Sequence, residues 1–264
     1  MMPSPCIWLI GGTSESAAIA QCLVQQQIPC RVTVTTPQAV GLYPVAPCLT
    51  VEVGALAPAQ LAGFIQLHQV RAIVDASHPH ALFISQAAIR IAEQLALPYL
   101  RYERPEITTT NPPRAQSWVT TLPDWEQLLA GNHLTHQRVL LIIGYRQLQR
   151  FAIWHDRATL FARILPSPIA LAAAQAAGFD PRRLIALRPP ITPELEAALW
   201  RQWQISLVVA KASGAAGGED VKQQVARQLQ IPLLLIARPP MIYPQQSQDL
   251  STIVAFCHQH LKPV

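Results

Sequence analysis

The first apolar run of the sequence, Ile7–Ile10, leads directly into two glycines and then into a segment of helical composition. Glycines at such a turn let the backbone approach a phosphate closely, and the N–H groups and positive dipole of the following helix stabilise an anion. The pattern predicts a phosphate-binding turn; the alternative is a turn that serves only tight packing of strand against helix. The residues of this predicted site are Gly11, Gly12, Thr13, Ser14 and Glu15.

Two hydroxyl side chains, Thr35 and Thr36, end the second predicted strand, and no acidic residue stands there. In NAD-binding proteins an acid at this place accepts a hydrogen bond from the ribose 2′-hydroxyl, so hydroxyls leave room for a 2′-phosphate. The sequence therefore favours NADP over NAD. The glycine turn does not carry the complete G-x-G-x-x-G spacing of the dinucleotide-binding fingerprint.

A second polar cluster closes the fourth predicted strand, where Asp75, Ser77 and His78 precede a proline. Ligands of parallel α/β sheets bind outside the carboxyl ends of the strands, so these side chains are expected to face a ligand. In the alternative interpretation, Ser77 only caps the next helix. His78 and His80 lack a third partner with metal-ligand spacing, and we predict no metal site.

Basic and aromatic side chains follow the fifth predicted strand, at Arg101, Tyr102 and Arg104. The planar guanidinium group binds carboxylates in bidentate fashion, so the arginines are candidates for holding ligand carboxylates. The alternative is a surface ion pair between Arg104 and the neighbouring Glu103.

Lys211 is one of only three lysines in the chain, and it ends a predicted strand before a glycine-rich loop that contains Ser213 and Gly214. The loop is not a Walker A sequence, because the lysine precedes the glycines. The position predicts ligand contacts from these three residues. A salt-bridged lysine beside an ordinary loop is the alternative.

The elements that must position these residues alternate short apolar runs with longer Ala-, Leu- and Gln-rich segments, which is the pattern of βαβ units around a parallel sheet. Between the two series of such units, Glu106–Pro123 has little periodicity and is predicted to connect two lobes. We therefore predict an α/β protein with two Rossmann-like lobes, residues 1–115 and 116–264. Each lobe has a mainly parallel sheet flanked by helices, and a ligand cleft is expected between them.

The composition supports a globular enzyme, because 50% of the 264 residues are hydrophobic and 13% are charged. No apolar run approaches the roughly 20 residues of a membrane span, and the first residues lack a basic leader. We expect a cytoplasmic protein without membrane association. Five cysteines without a C-x-x-C pair argue against a disulfide framework and a zinc site.

The formal charge of +5 comes with a strong bias toward arginine, which supplies 17 of the 20 basic residues. Arginine suits a polyanionic ligand, although genomic base composition would produce the same bias. No basic run or nucleic-acid-binding motif is present, so a small anionic ligand is expected and nucleic acid is not.

Five segments, taken in order, resemble the precorrin-6A reductases of cobalamin biosynthesis, and the resemblance spans nearly the whole chain. The segments are Leu9–Glu15, Val74–Pro79, Leu100–Pro105, Phe161–Pro166 and Lys211–Gly214. The resemblance implies two lobes that enclose NADPH and a corrin precursor, with hydride transfer to a carbon–carbon double bond and a proton added beside it. The substrate, precorrin-6A or its cobalt-containing counterpart, carries many carboxylates, which would account for the basic chain.

The resemblance also implies roles for the residues singled out above. NADPH is expected on the glycine turn, on Thr35 and Thr36, and on Ser77 and His78. Asp75 and Lys211 are expected to face each other across the cleft, for positioning and proton delivery, and either group could supply the proton. Substrate binding is assigned to Arg101, Tyr102, Arg104, Tyr145, Arg146, Ser213 and Gly214. We expect a monomer or a weak homodimer.

The sequence departs from the usual family pattern at three places. His80 stands where phenylalanine is common, Gly144–Arg146 replaces a Thr-, Gly- and Ser-rich turn, and Arg188–Pro190 replaces Gly-Pro-Phe. These changes affect substrate contacts of the second lobe more than the cofactor site. The substitutions at Gly144–Arg146 and Arg188–Pro190 leave open a non-catalytic NADP-binding regulatory protein. A second alternative is a sugar-nucleotide transferase, because such enzymes also have two Rossmann-like lobes.

Overall fold

The structure is a computed structural model that describes residues 4–105 and 118–261, so most of the predicted connector lies outside the described residues. The chain forms two compact units. The first comprises Met1–Pro105 and Pro240–Val264, and the second comprises Glu106–Pro239. The predicted division at residue 115 is corrected in one respect: it placed residues 240–264 in the second lobe, whereas they complete the sheet and core of the first unit.

The first unit contains a six-stranded sheet in the order β12-β5-β4-β1-β2-β3, and every pairing in it is parallel. Its strands are β1 (Cys6–Ile10), β2 (Cys30–Val34), β3 (Leu49–Val53), β4 (Val70–Asp75), β5 (Tyr99–Tyr102) and β12 (Gln246–Ser247). Its helices are α1 (Ser14–Gln25), α2 (Pro58–Leu67), α3 (Leu82–Gln94) and α8 (Leu250–Leu261), with a 3₁₀ turn at Pro37–Leu42.

The second unit contains another parallel six-stranded sheet, in the order β6-β11-β10-β7-β8-β9. Its strands are β6 (Val119–Leu122), β7 (Arg138–Ile142), β8 (Thr159–Ile164), β9 (Leu184–Ala186), β10 (Leu207–Lys211) and β11 (Leu233–Ile236). Its helices are α4 (Trp125–Ala130), α5 (Pro168–Ala176), α6 (Pro193–Gln202) and α7 (Glu219–Leu229), with 3₁₀ turns at Tyr145–Trp154, Pro181–Arg183 and Ala215–Gly217.

The central strands are mainly apolar because helices cover both faces of each sheet. All five residues of β1 are buried. In the first unit, α1 and α8 pack on one face, and α2 and α3 pack on the other. In the second unit, α4 and α5 cover one face, and α6 and α7 cover the other. Both sheets confirm the predicted α/β class and parallel strands.

The first sheet has the Rossmann strand order 3-2-1-4-5-6. The second sheet has the same arrangement for β7 to β11, and β6 occupies the position of the sixth strand. In this arrangement ligands bind where the order reverses, between the first and fourth strands of the Rossmann order. This switch point lies between β1 and β4 in the first unit and between β7 and β10 in the second. The sixth strands come from unexpected parts of the chain. The sixth position of the first sheet is filled by β12, which follows the entire second unit in the chain. The sixth position of the second sheet is filled by β6, which precedes β7 in the chain.

The described part of the chain contains no helix that combines the length and hydropathy needed to cross a bilayer.

Candidate functional site

The glycine turn lies at the switch point of the first sheet, between the end of β1 and the start of α1. Gly12 has a φ of +100°, and the space that a side chain would occupy there is open. Thr13 caps the helix: its hydroxyl accepts a hydrogen bond from the Ser16 N–H at 3.1 Å, and its own N–H donates to the Ser16 hydroxyl at 3.0 Å. The Thr13 hydroxyl also donates to the Ala76 carbonyl at 2.9 Å, which fixes the turn against the end of β4.

Two backbone donors remain at the start of α1 once this cap is formed. The first N–H groups of a helix have no intrahelical acceptor, and the cap satisfies those of Thr13 and Ser16. The N–H groups of Ser14 and Glu15 are left at the positive end of the helix dipole, beside the open side of Gly12. Two adjacent donors at a helix start are the chemistry that a diphosphate requires, so the residues present fit a dinucleotide.

Tyr43 was missed from the sequence, and it completes this turn. Its hydroxyl lies 2.7 Å from the Gly12 nitrogen, which donates to it, and 2.7 Å from the Ser16 hydroxyl. Tyr43 is 31 positions from Gly12 and stands in a loop without any motif, so no sequence signal could have identified it. The contact explains why residue 11 is glycine: a Cβ there would overlap the Tyr43 hydroxyl and lie 2.8 Å from Cγ1 of Val32.

Substitution of Gly11 by alanine is expected to destabilise the protein by about 1–3 kcal/mol, because the added methyl group must displace Tyr43 and Val32 from a packed core. Urea denaturation of the variant would measure the loss. Gly63→Ala is the matched control, since a Cβ at that helical position meets nothing within 4 Å. It should stabilise the protein by about 0.5–1 kcal/mol. Equal stability of the two variants would contradict the assigned packing.

Thr35 and Thr36 directly follow β2, which ends at Val34. Thr35 is exposed and Thr36 is half-buried, at the start of the loop that leads to the 3₁₀ turn at Pro37–Leu42. No carboxylate follows β2 within this segment.

Asp75 at the end of β4 is completely buried, and its carboxylate is surrounded by donors. Arg101 Nη1 lies 2.9 Å from Oδ1, the Tyr99 hydroxyl donates to Oδ2 at 2.8 Å, and the Ser77 N–H donates to Oδ1 at 2.9 Å. Burial and the adjacent Asp75 charge raise the pKa of Tyr99 far above its ordinary value, so the phenol keeps its proton and donates. The arrangement fixes the Asp75 side chain at the end of β4.

Arg101 has no exposed surface and is committed to the same network. Besides Asp75, it donates to the Ser77 hydroxyl at 3.1 Å and to Glu103 at 3.0 Å, and its guanidinium group stacks 5.2 Å from the centre of the Tyr243 ring. Burial alone would lower the pKa of Arg101, but the surrounding anions, Asp75 first, raise it above its usual value. These contacts use Nε and Nη1 of Arg101, whereas Nη2 has no hydrogen-bond partner among the described residues, so the expected carboxylate-binding role of Arg101 stays a prediction.

Arg104 forms an ion pair with Glu15, with its Nη2 atom 2.8 Å from Oε2 of the carboxylate. The pair joins the end of β5 to the first turn of α1 and differs from the Arg104–Glu103 surface pair considered as the alternative. Tyr102 is half-buried beside it, and burial, followed by the Glu15 charge, raises its pKa. Arg104 and Glu15 thus border the turn at which Ser14 and Glu15 present their N–H groups.

His78 and His80 lie next to each other after β4, with ring centres 5.7 Å apart. The His80 N–H donates to Nδ1 of His78 at 3.2 Å, and the Ala81 N–H donates to the His78 carbonyl at 2.7 Å. This turn delays α3, which begins at Leu82, whereas the sequence predicted a start at Pro79. Across the described residues no group of three or more histidine, cysteine, aspartate or glutamate side chains is placed to hold a metal ion.

The switch point of the second sheet carries two cations. Lys211 ends β10, and a Cβ added to Gly144 would lie 3.8 Å from the lysine Nζ, so the amine lies beside the turn after β7. Burial, and then the positive charge of Arg146, lowers the pKa of Lys211 from 10.5 to about 8. Arg146 is exposed and stacks on Tyr145, with 5.4 Å between the guanidinium carbon and the ring centre. The structure thus brings these three predicted residues together.

The loop after Lys211 is shaped by the first turn of α7. Oε2 of Glu219, which is 5% exposed, accepts hydrogen bonds from the N–H groups of Ser213 and Gly214, both at 2.8 Å. Lys222 donates to the carbonyls of Gly217 and Gly218, both at 2.8 Å. The backbone donors that the sequence offered for a ligand at Ser213 and Gly214 are therefore occupied by a carboxylate of the protein itself.

Comparison with known proteins gives one consistent answer. A family model described as "Precorrin-6x reductase CbiJ/CobK" matches residues 6–258. The cobalt-precorrin-6A reductase of Synechocystis sp. is 50% identical over 258 residues, which cover 97% of each chain. The cobalt-precorrin-6A reductase of Priestia megaterium is 32% identical over 90% of this chain and 92% of that protein.

A solved structure described as "CobK precorrin-6A reductase" superposes with a TM-score of 0.77 at 25% sequence identity, and the match covers 97% of both chains. It shares the two-sheet fold. The resemblance inferred from the five sequence segments is confirmed, since the family match spans nearly the entire chain. This protein belongs to the precorrin-6x reductase CbiJ/CobK family, a family of oxidoreductases.

Proposed function

We propose that the protein reduces cobalt-precorrin-6A, a corrin precursor of cobalamin biosynthesis, with NADPH as the hydride donor. The observation that carries the proposal is the pair of N–H groups at Ser14 and Glu15, placed at the switch point of the first sheet beside an open glycine. The cobalt-containing substrate is preferred because the relative named for it shares half of the residues, whereas the solved protein named for precorrin-6A shares a quarter.

The chain's own residues would hold NADPH at three places. The N–H groups of Ser14 and Glu15 would donate hydrogen bonds to the diphosphate. Since no acid follows β2, the hydroxyls of Thr35 and Thr36 would donate hydrogen bonds to the 2′-phosphate. When bound, NADPH supplies the hydride, so the protein has to provide orientation, charge and a proton. Ser77 and His78, at the end of β4, are proposed to contact the nicotinamide half.

The switch point of the second sheet is proposed to receive the substrate. Lys211 and Arg146 place two positive charges there, and a polycarboxylate substrate would pair with them. Tyr145, stacked on Arg146, offers an aromatic surface to a flat macrocycle. Tyr102 and Arg104 remain proposed substrate contacts of the first unit, whereas the bonds that Ser213 and Gly214 make to Glu219 suggest that they shape the loop.

Lys211 is the better of the two proposed proton donors. Its pKa of about 8 leaves the amine protonated at neutral pH and able to lose that proton, which suits a general acid. Asp75 accepts hydrogen bonds from Arg101, Tyr99 and the Ser77 N–H, so both of its carboxylate oxygens are already engaged within the protein. We propose that Asp75 positions the end of β4.

The direct test follows NADPH absorbance under anaerobic conditions after addition of cobalt-precorrin-6A or of metal-free precorrin-6A. Oxidation of NADPH with formation of the dihydro product supports the reductase, and faster turnover of the cobalt form supports the preferred substrate. Binding of NADPH without oxidation would instead indicate a regulatory protein. Binding of a UDP-sugar in place of NADPH would indicate a sugar-nucleotide transferase.

Replacement of Lys211 by methionine is expected to lower kcat/KM by about 10²-fold or more, because the substitution removes both a proton donor and a charge for substrate carboxylates. The same substitution should stabilise the fold at neutral pH. The lowered pKa means that the folded state disfavours the charged amine, at a cost of up to about 3 kcal/mol below pH 8. Kinetics and urea denaturation between pH 7 and 11 would measure both effects.

The sign of the pH effect is specific. The cost of the charged amine is largest below the folded pKa of about 8 and disappears as the pH rises toward the ordinary value of 10.5. The stability difference between Lys211→Met and wild type should therefore shrink over that interval. Arg182→Met is the charge control, since Arg182 pairs with Asp180 on the surface of the same unit. Full activity of the Lys211 variant would remove this residue from the proposed site.

A further inference from the structure

Tyr43 connects two parts of the first unit that lie far apart in sequence. The chain leaves β2 after Val34 and forms the 3₁₀ turn at Pro37–Leu42. The Tyr43 side chain then turns back toward the start of α1. The ring is buried, with 7% of the residue exposed, and its hydroxyl reaches both the Gly12 N–H and the Ser16 hydroxyl. One side chain thereby joins the loop after β2 to the glycine turn after β1.

The hydrogen-bond directions around Tyr43 are determined by the available acceptors. The Ser16 hydroxyl lies 2.8 Å from the Thr13 carbonyl, which can only accept, so Ser16 donates its single hydrogen there. Ser16 must therefore accept from the Tyr43 hydroxyl, and Tyr43 in turn accepts from the Gly12 N–H. The hydrogens of the Gly12 N–H, the Tyr43 hydroxyl and the Ser16 hydroxyl each have one acceptor. The glycine turn is therefore held in a single conformation by a buried side chain.

The steric fit at Gly11 gives the same result independently. The Tyr43 hydroxyl fills the space of the missing Gly11 side chain, so turn and ring fit only while residue 11 has no Cβ. The hydrogen bond also uses the Gly12 N–H, which would otherwise point toward a phosphate. The donors left for an anion are those of Ser14 and Glu15, the first two residues of α1.

We infer that Tyr43 is a positioning residue of the nucleotide site, which holds the glycine turn so that a diphosphate is received by the Ser14 and Glu15 N–H groups. This inference rests on the proposed use of NADPH. Because Tyr43 belongs to the loop that follows Thr36, it also sets the separation between the diphosphate donors and the proposed 2′-phosphate contacts. A site that is arranged before the ligand arrives avoids an ordering cost on binding. Burial raises the pKa of Tyr43, so its hydroxyl keeps the hydrogen that Ser16 accepts.

The test is Tyr43→Phe, with affinities measured by calorimetry for three ligands: NADP⁺, adenosine 2′,5′-bisphosphate and adenosine 2′-monophosphate. Loss of the hydroxyl leaves the Gly12 N–H without its acceptor and the turn without its support. We expect the affinity of the first two ligands, which carry a 5′-phosphate, to fall about tenfold. The affinity of adenosine 2′-monophosphate should stay unchanged, because it does not reach the turn. KM for NADPH should rise accordingly, with kcat at saturation unchanged.

Two further variants separate this role from ordinary destabilisation. Ser16→Ala removes the hydrogen-bond partner of the Tyr43 hydroxyl and should cause the same selective loss of affinity. This variant keeps the inference testable if Tyr43→Phe fails to fold. Thr33→Val is the control, because it removes a buried hydroxyl that accepts from Trp8 at 2.9 Å in the same sheet. It should lower the unfolding midpoint and leave all three affinities unchanged.

The outcomes are distinguishable from a failure of the proposed function. Wild-type protein that binds NADP⁺, together with a Tyr43→Phe variant that binds all three ligands equally well, or loses all three equally, would overturn the positioning role alone. Wild-type protein that does not bind NADP⁺ would overturn both the positioning role and the cofactor assignment.

Discussion

A chain that ends at Pro239 is expected to lose the native fold of the first unit while the second unit stays folded. The missing residues supply β12, which pairs with β5, and α8, which covers one face of the first sheet. Three α8 side chains, Ile253, Phe256 and Cys257, are buried in that core. Their removal exposes the part of this apolar face that α1 does not cover. A domain is usually stable by only about 5–15 kcal/mol, and the loss of a whole helix from its core is expected to consume that margin.

Hydrogen exchange measured by mass spectrometry would test this result within one molecule. Peptides from β1 and β4 should lose protection in the shortened chain, whereas peptides from β7 and β10 should keep it and serve as the internal control. Phe256→Ala, in the full chain, is expected to cost about 3–5 kcal/mol through the cavity it leaves. The exposed Gln259 on the same helix should tolerate alanine within about 0.5 kcal/mol. Protection of β1 in the shortened chain would contradict the assignment of α8 to this core.

The second large effect is expected for Arg101→Met, which should destabilise the protein by about 3–5 kcal/mol. The methionine fills the volume of the arginine stem but leaves the Asp75 carboxylate completely buried without a cation. Tyr99 and the Ser77 N–H would still donate to it, yet neither carries a charge. Urea denaturation at neutral pH would measure the loss as a lower midpoint with an unchanged slope.

A double substitution identifies the cause. Asp75→Asn combined with Arg101→Met removes both charges, so its loss should be clearly smaller than the sum of the two single losses. The difference gives the coupling between the two side chains. If Arg101→Met alone stays within about 1 kcal/mol of wild type, the pair does not support the end of β4.

The sheets could be predicted from the sequence because their central strands are buried on both faces. β1, β4, β7 and β10 each contain a short run of apolar residues, and such runs can be recognised from the sequence. β12 has no such signal. It consists of Gln246 and Ser247, and its neighbourhood bonds to β5 through the backbone, where the Arg101 N–H donates to the Gln245 carbonyl at 2.9 Å. Backbone pairing of polar residues at a sheet edge cannot be read from hydropathy.

In the candidate site, too, local features could be predicted from the sequence, whereas contacts between distant residues could not. The glycine turn and the end of β4 follow from a strand, a turn and a helix in sequence, so their positions at the switch point could be predicted. Their partners could not. Asp75 and Arg101 are 26 positions apart, and Tyr43 and Gly12 are 31 apart, so whether a charge is free for a ligand depends on folded distances. For this reason the sequence predicted a substrate contact for Arg101 and missed its contact with Asp75.

The late position of β12 in the chain affects folding during synthesis. The pairing of Arg101 with Gln246 cannot form until nearly the whole chain has left the ribosome, although β5 itself emerges early. At translation rates of about 5–20 residues per second, the open edge of β5 waits on the order of 10–30 seconds for its partner. During that interval an unpaired parallel edge is exposed to other nascent chains, so co-translational chaperones should increase the yield of native enzyme more than they increase its final stability.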